Sequence, residues 1–129
     1  IFPNGNDYLI PSIVYNGELY LEGINELGFL KLFKTDGKII TQISDTNANG
    51  SDSPSDFAIY QNELYFRSHN MMGHSKLFKL NEQGIKQVSD INPETHDAPE
   101  FMTVYNNELY FAAYINNIGS KLFKTNGNL

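Results

Sequence analysis

Glu18-Leu19-Tyr20-Leu21 returns as Glu63-Leu64-Tyr65-Phe66 and again as Glu108-Leu109-Tyr110-Phe111, 45 residues apart each time. A second marker, Lys31-Leu32-Phe33-Lys34, returns with the same period as Lys76-Leu77-Phe78-Lys79 and Lys121-Leu122-Phe123-Lys124. Two markers that hold one period without a slip mean that a single small unit is written three times. A period of this length is the mark of solenoids, propellers or arrays. Repeats describe a scaffold, so the pattern speaks to architecture before it speaks to any ligand.

The second copy is complete and reads as four short strands. Phe57-Ala58-Ile59-Tyr60 is followed by Gln61-Asn62, a two-residue turn for which the first copy has Asn16-Gly17 and the third Asn106-Asn107. Asn-Gly is the strongest short hairpin signal, because a type I′ turn needs positive φ at both central positions. The next strands are expected at 63–68, 75–80 and 85–89, the last matching 39–44, with a polar loop over 90–99 leading onward. The chain is thus one repeat domain of 129 residues, with repeats at about 1–45, 46–90 and 91–129, and the third lacks its last strand.

Leu64-Tyr65-Phe66 and Leu77-Phe78 put apolar groups on both faces of their strands. A sheet with one wet face would alternate instead. Each sheet is therefore expected to be sandwiched between neighbours, as propeller blades are. Lys31, Lys34 and their counterparts read as strand-end groups whose stems cover apolar surface while the ammonium stays wet. Seventeen aromatic residues, eight Tyr and nine Phe, with Gly, Asn, Asp and Ser crowding the gaps, complete an all-β reading with many tight turns.

Lys31-Leu32-Phe33-Lys34-Thr35-Asp36-Gly37 resembles the ELWxxDGT-type repeat of β-propeller proteins, with Lys for the leading Glu and Phe for Trp. The similarity extends to Asp90-Ile91-Asn92-Pro93 and to Asn107-Glu108-Leu109-Tyr110-Phe111-Ala112-Ala113. The resemblance implies a bacterial propeller of the cell envelope or the extracellular space, and it carries no catalytic residues. Propellers have about 4–8 blades, so three blades need completion by more of the same chain, a second copy or a protein partner. The rival fold is a β-trefoil, also threefold with four strands per unit, which would close with one chain.

A formal net charge of -6 argues against nucleic-acid binding. No apolar run approaches the roughly 20 residues of a membrane-spanning helix, so membrane insertion is not expected. Cysteine is absent, which removes thiolate metal sites and Cys nucleophiles. The sharpest motif is Asp45-Thr46-Asn47-Ala48-Asn49-Gly50-Ser51 with Asp56 eleven positions after Asp45. Asp45, Asn47, Asn49, Ser51 and Asp56 have the oxygen-ligand spacing of a calcium loop, with Gly at the turn. Asx-rich loops also turn well unaided, since their side chains cap their own backbone. His69, His74 and His96 share no spacing and read as solvated loop residues, although His69 and His74 flank one connection. Glu18, Glu63 and Glu108 recur once per repeat beside a turn, a placement unlike the paired carboxylates of a glycosidase. Tyr15, Tyr60 and Tyr105 recur before the hairpin turn, where they either seal one blade against the next or stack on sugars. The function expected is a non-catalytic interaction scaffold in a larger bacterial surface or secretion assembly, with a lectin-like carbohydrate-binding module as the alternative.

Overall fold

Eleven strands in three antiparallel sheets make up the described residues, 9–127, of the computed structural model, and none of these residues is helical. The first sheet runs β1 (Leu9–Tyr15), β2 (Glu18–Ile24), β3 (Leu30–Thr35), β4 (Ile40–Gln42). The second runs β5 (Ser55–Tyr60), β6 (Glu63–His69), β7 (Ser75–Asn81), β8 (Gly84–Gln87), and the third β9 (Glu100–Tyr105), β10 (Glu108–Ile115), β11 (Gly119–Thr125). Neighbours in sequence are neighbours in the sheet throughout, so each sheet is a meander.

The hairpin residues explain the local geometry. Asn16 and Gly17 have φ of 49° and 76°, and Gln61-Asn62 and Asn106-Asn107 are likewise positive at both positions. Positive φ at both positions is the type I′ turn, whose backbone twist matches the right-handed twist of the flanking strands. The first strand of each sheet carries a register shift, and in the second and third sheets Asp56 and Phe101 have positive φ there (53° and 56°). The fourth strands are shorter than expected, ending at Gln42 and Gln87. The reason is a serine side chain. Leu32 N–H donates to Ser44 Oγ (2.8 Å) and Leu77 N–H to Ser89 Oγ (2.9 Å), so a hydroxyl replaces the carbonyl that would have continued the ladder.

The middle sheet is buried on both faces, as the doubled apolar pattern requires. Leu64, Phe66 and Phe78 pack against Tyr15, Tyr20 and Leu32 of the first sheet. On the other face Tyr60, Tyr65, Leu77 and Val88 pack against Leu109, Phe111 and Ala113 of the third. Between sheets the first strands lie nearest one another, β1 beside β5 and β5 beside β9. Tyrosine hydroxyls lock these junctions: Tyr15 donates to the Asn62 carbonyl and Tyr60 to the Asn107 carbonyl, both at 2.7 Å.

Tyr65 is the exception among these tyrosines. Its hydroxyl is buried beside Gly127 with no hydrogen-bond partner among the described residues. Burial, followed by the charge of Glu63 and by Tyr60, pushes its pKa up to about 12. A buried unpartnered hydroxyl costs about 1–3 kcal/mol relative to an apolar group. Tyr65→Phe is therefore expected to leave the melting temperature unchanged or raise it. Tyr60→Phe, which strips a bonded hydroxyl, is expected to cost about 1 kcal/mol. A thermal melt that ranks the two the other way would refute this account.

Candidate functional site

The polar residues that recur with the repeat meet in two loops, one after the first sheet and one after the second, each built around a buried aspartate. Lys31 lies on β3 and is only 1% exposed; Lys76 holds the same place on β7 and is 0% exposed. This overturns the expectation of wet ammonium groups at those positions. Each ammonium points into the loop that follows its own sheet. Lys31 Nζ donates to Asp45 Oδ1 (2.7 Å), the Asn47 carbonyl (2.8 Å) and Asp52 Oδ1 (3.0 Å). Lys76 Nζ donates to Asp90 Oδ1 (3.0 Å), the Asn92 carbonyl (2.7 Å) and Asp97 Oδ1 (3.2 Å). Three oxygens for three protons is full satisfaction of an ammonium.

Asp52 and Asp97 are the centres of these loops and are 0% exposed. The second oxygen of each accepts from the serine that ends strand four, Ser44 (2.5 Å) or Ser89 (2.6 Å). The first also accepts from a loop N–H, that of Asn47 or Asn92, at 2.8 Å. The aspartate backbone then reaches the next sheet: His69 N–H donates to the Asp52 carbonyl and Tyr114 N–H to the Asp97 carbonyl, both at 2.7 Å. Each loop thus clamps the sheet before it to the sheet after it. Buried charges persist only when paired and bonded in this way.

The residues of the calcium spacing are not gathered around one point. Asp45 and the Asn47 carbonyl face Lys31, Ser51 Oγ accepts from Leu30 N–H (3.0 Å), and Asp56 lies on β5, 3.8 Å from Arg67. Asn49 is exposed. Asp52, which the spacing passes over, is the carboxylate at the centre. Among the described residues no group of three or more His, Asp and Glu is placed to hold a metal ion. The lysine supplies the positive charge that a cation would bring, and titration with millimolar Ca²⁺ is expected to release no heat.

The recurring glutamates pair with the second lysine of each marker across β2/β3, β6/β7 and β10/β11. Glu18–Lys34, Glu63–Lys79 and Glu108–Lys124 approach to 3.0, 3.1 and 2.9 Å. Tyr15 and Tyr60 are core residues, 5% and 3% exposed, whereas Tyr105 is 64% exposed.

The histidines, separate in sequence, do meet. The ring centre of His96 lies 5.5 Å from that of His74 and 6.2 Å from that of His69. His96 Nδ1 accepts from Ser75 N–H at 2.8 Å, so its proton sits on Nε2. Desolvation lowers the His96 pKa from 6.5, with His74, His69, Arg67 and Lys76 adding in the same direction. The unfolded chain then takes up a proton near 6.5 while the folded chain resists until lower pH, so stability present above that value is lost as pH falls below it. The melting temperature is expected to drop between about pH 7.5 and about pH 5.5, and the drop to shrink in His96→Asn, whose Oδ1 can accept the same N–H. A slope identical in the variant would show that His96 is not its source.

No family model, curated protein or solved structure matches the chain.

Proposed function

We propose that the chain is a non-catalytic segment of a β-propeller that serves as a protein-interaction scaffold. The observation that carries the reading is the destination of the recurring polar side chains. Lys31, Ser44, Asp45 and Asp52, and their counterparts Lys76, Ser89, Asp90 and Asp97, bond one another and hold sheet to sheet. They are structural clamps, and what faces outward is loop and sheet surface. The propeller form is supported by three separate meanders whose first strands lie nearest one another, as blades fanned about an axis would be. A trefoil would instead share strands in a common barrel. Placement in a bacterial surface or secretion assembly rests on the repeat resemblance alone.

Binding through the loops at 45–56 and 90–100 follows from their position at one end of rigid sheets. A photo-cross-linking residue placed at the exposed Asn49 or Glu94 is expected to give a discrete protein adduct in the native cell. The lectin reading loses support from Tyr15 and Tyr60, whose rings are enclosed by neighbouring sheets. Absence of any adduct, together with binding on a glycan array, would reverse the order of the two readings.

A further inference from the structure

We propose that the loop end of the three sheets, where strand two turns into strand three, is a docking surface for a cationic segment of a partner protein that also carries apolar side chains. The inference rests on the scaffold reading above and names the chemistry of the partner.

In a meander, successive connections alternate between the two ends of the sheet. The connections from strand two to strand three, 25–29, 70–74 and 116–118, therefore lie at the same end as the loops between sheets. The hydrogen bonds agree. Leu30 N–H donates to Ser51 Oγ at 3.0 Å, Ala48 N–H to Met71 Sδ at 3.3 Å, and Asn116 N–H to Asn92 Oδ1 at 2.9 Å. Connection and loop thus alternate along one continuous surface.

Each connection lifts a large apolar side chain into water. Leu27 is 74% exposed, Met71 56%, Met72 66% and Ile118 65%. Met72 stands 45 residues after Leu27, so the first two copies place this group alike. The methionines decide the case, because the middle sheet already has a neighbour on both faces and still leaves them uncovered. Their backbone is fixed. Asn70 Oδ1 accepts from the N–H groups of Met72 (3.0 Å) and His74 (2.9 Å), and Asn25 Oδ1 from those of Leu27 and Phe29, both at 3.0 Å. An apolar group held on a rigid stub loses little freedom when a partner covers it. The hairpin turns at the opposite end, Asn16-Gly17, Gln61-Asn62 and Asn106-Asn107, carry no apolar side chain.

Charge at this end is one-sided. Each clamp sets two carboxylates against one ammonium and so leaves one negative charge, and the aspartate that faces water is Asp45 (61% exposed) or Asp90 (42%). Glu26 and Glu94 are exposed and form no ion pair among the described residues. Of the cations here that are not enclosed, Arg67 already meets Glu100 (3.1 Å) and Asp56 (3.8 Å), which leaves Lys121. At the opposite end the charges balance. The recurring glutamates each pair with a lysine, and Asp36 and Glu82 stand in hairpins that also carry Lys38 and Lys86. A negative field around apolar tips selects a partner that is positive and apolar at once.

Fluorescence anisotropy with three labelled peptides, each about 18 residues or five helical turns, tests the proposal. One is an amphipathic leucine–lysine helix, the second has glutamate for its lysines, and the third has serine for its leucines. His69, His74 and His96 also stand at this end, so titrations are run at about pH 8, above the usual range of histidine. The leucine–lysine peptide is expected to bind, and the other two to bind at least about tenfold more weakly. Leu27→Ser combined with Met72→Ser is expected to weaken binding about tenfold. Glu26→Gln combined with Glu94→Gln is expected to weaken it about threefold and to flatten its salt dependence. Ile39→Ser, which removes an exposed apolar side chain at the opposite end, is expected to change nothing. All five positions are exposed, so the variants keep the parent melt. No binding of the leucine–lysine peptide overturns the proposal, and an adduct cross-linked at Asn49 or Glu94 would then keep the scaffold reading with a partner of other chemistry. Equal binding of the glutamate peptide removes the part played by charge, and equal binding of the serine peptide reduces the contact to ion pairing. An affinity untouched by Leu27→Ser with Met72→Ser moves the contact elsewhere, and each of these three results overturns the proposal too.

Discussion

Asp97→Ala is expected to cost about 3–5 kcal/mol of stability, a large part of what holds a domain of this size together. The carboxylate is fully enclosed, and Lys76 Nζ, Ser89 Oγ and the N–H groups of Ile91 and Asn92 all donate to it. Removing it strands an ammonium that is itself 0% exposed, and leaves several donors without acceptors. Lys76→Met is expected to cost less, because the carboxylate keeps its hydroxyl and backbone donors and the methionine stem fills the same channel. Asp90→Ala is expected to cost about 1 kcal/mol or less. Its carboxylate touches the same ammonium at 3.0 Å but is 42% exposed, so water replaces what is lost. Urea denaturation of the three variants checks the ranking. An Asp97→Ala midpoint no lower than that of Asp90→Ala would mean that the loop is not a clamp. The same order is expected in the first loop for Asp52, Lys31 and Asp45, where exposure is 0%, 1% and 61%.

The scaffold was legible in the residues because its causes are local. Asn16-Gly17 forces one turn class, and the apolar doubling of Leu64-Tyr65-Phe66 matches a sheet packed on both faces. The clamp was illegible for a physical reason: lysine is almost never buried unless paired, and the partners of Lys31 lie 14, 16 and 21 residues later, in a loop. The calcium spacing runs through Asp45 and Asp56 and passes over Asp52, the carboxylate that the fold encloses. A signal did exist. Lys31, Ser44, Asp45, Asn47 and Asp52 all recur 45 residues on as Lys76, Ser89, Asp90, Asn92 and Asp97. Asn49, Ser51 and Asp56 become Glu94, His96 and Phe101. Residues that keep the period are those the fold uses twice. The meeting of the three histidines had no such signal, because His96 comes from a different loop and stands where the first copy has Ser51.

The leucine of the lysine marker offers one side chain in three environments, and its truncation should report them separately. Leu32 and Leu77 are 0% exposed, each within the apolar layer between two sheets. Leu→Ala at such a site removes transfer energy and leaves a cavity, together about 2–5 kcal/mol. Both variants are expected to fall in that range, with Leu77→Ala also loosening the third sheet, since Leu77 packs with Leu109, Phe111 and Ala113. Leu122, at 72% exposure, has little to lose in the isolated chain. Leu122→Ala is expected to stay within about 0.5 kcal/mol when the melt is run dilute. A Leu122→Ala penalty that is large when dilute would place this leucine in a core that the third sheet does not show.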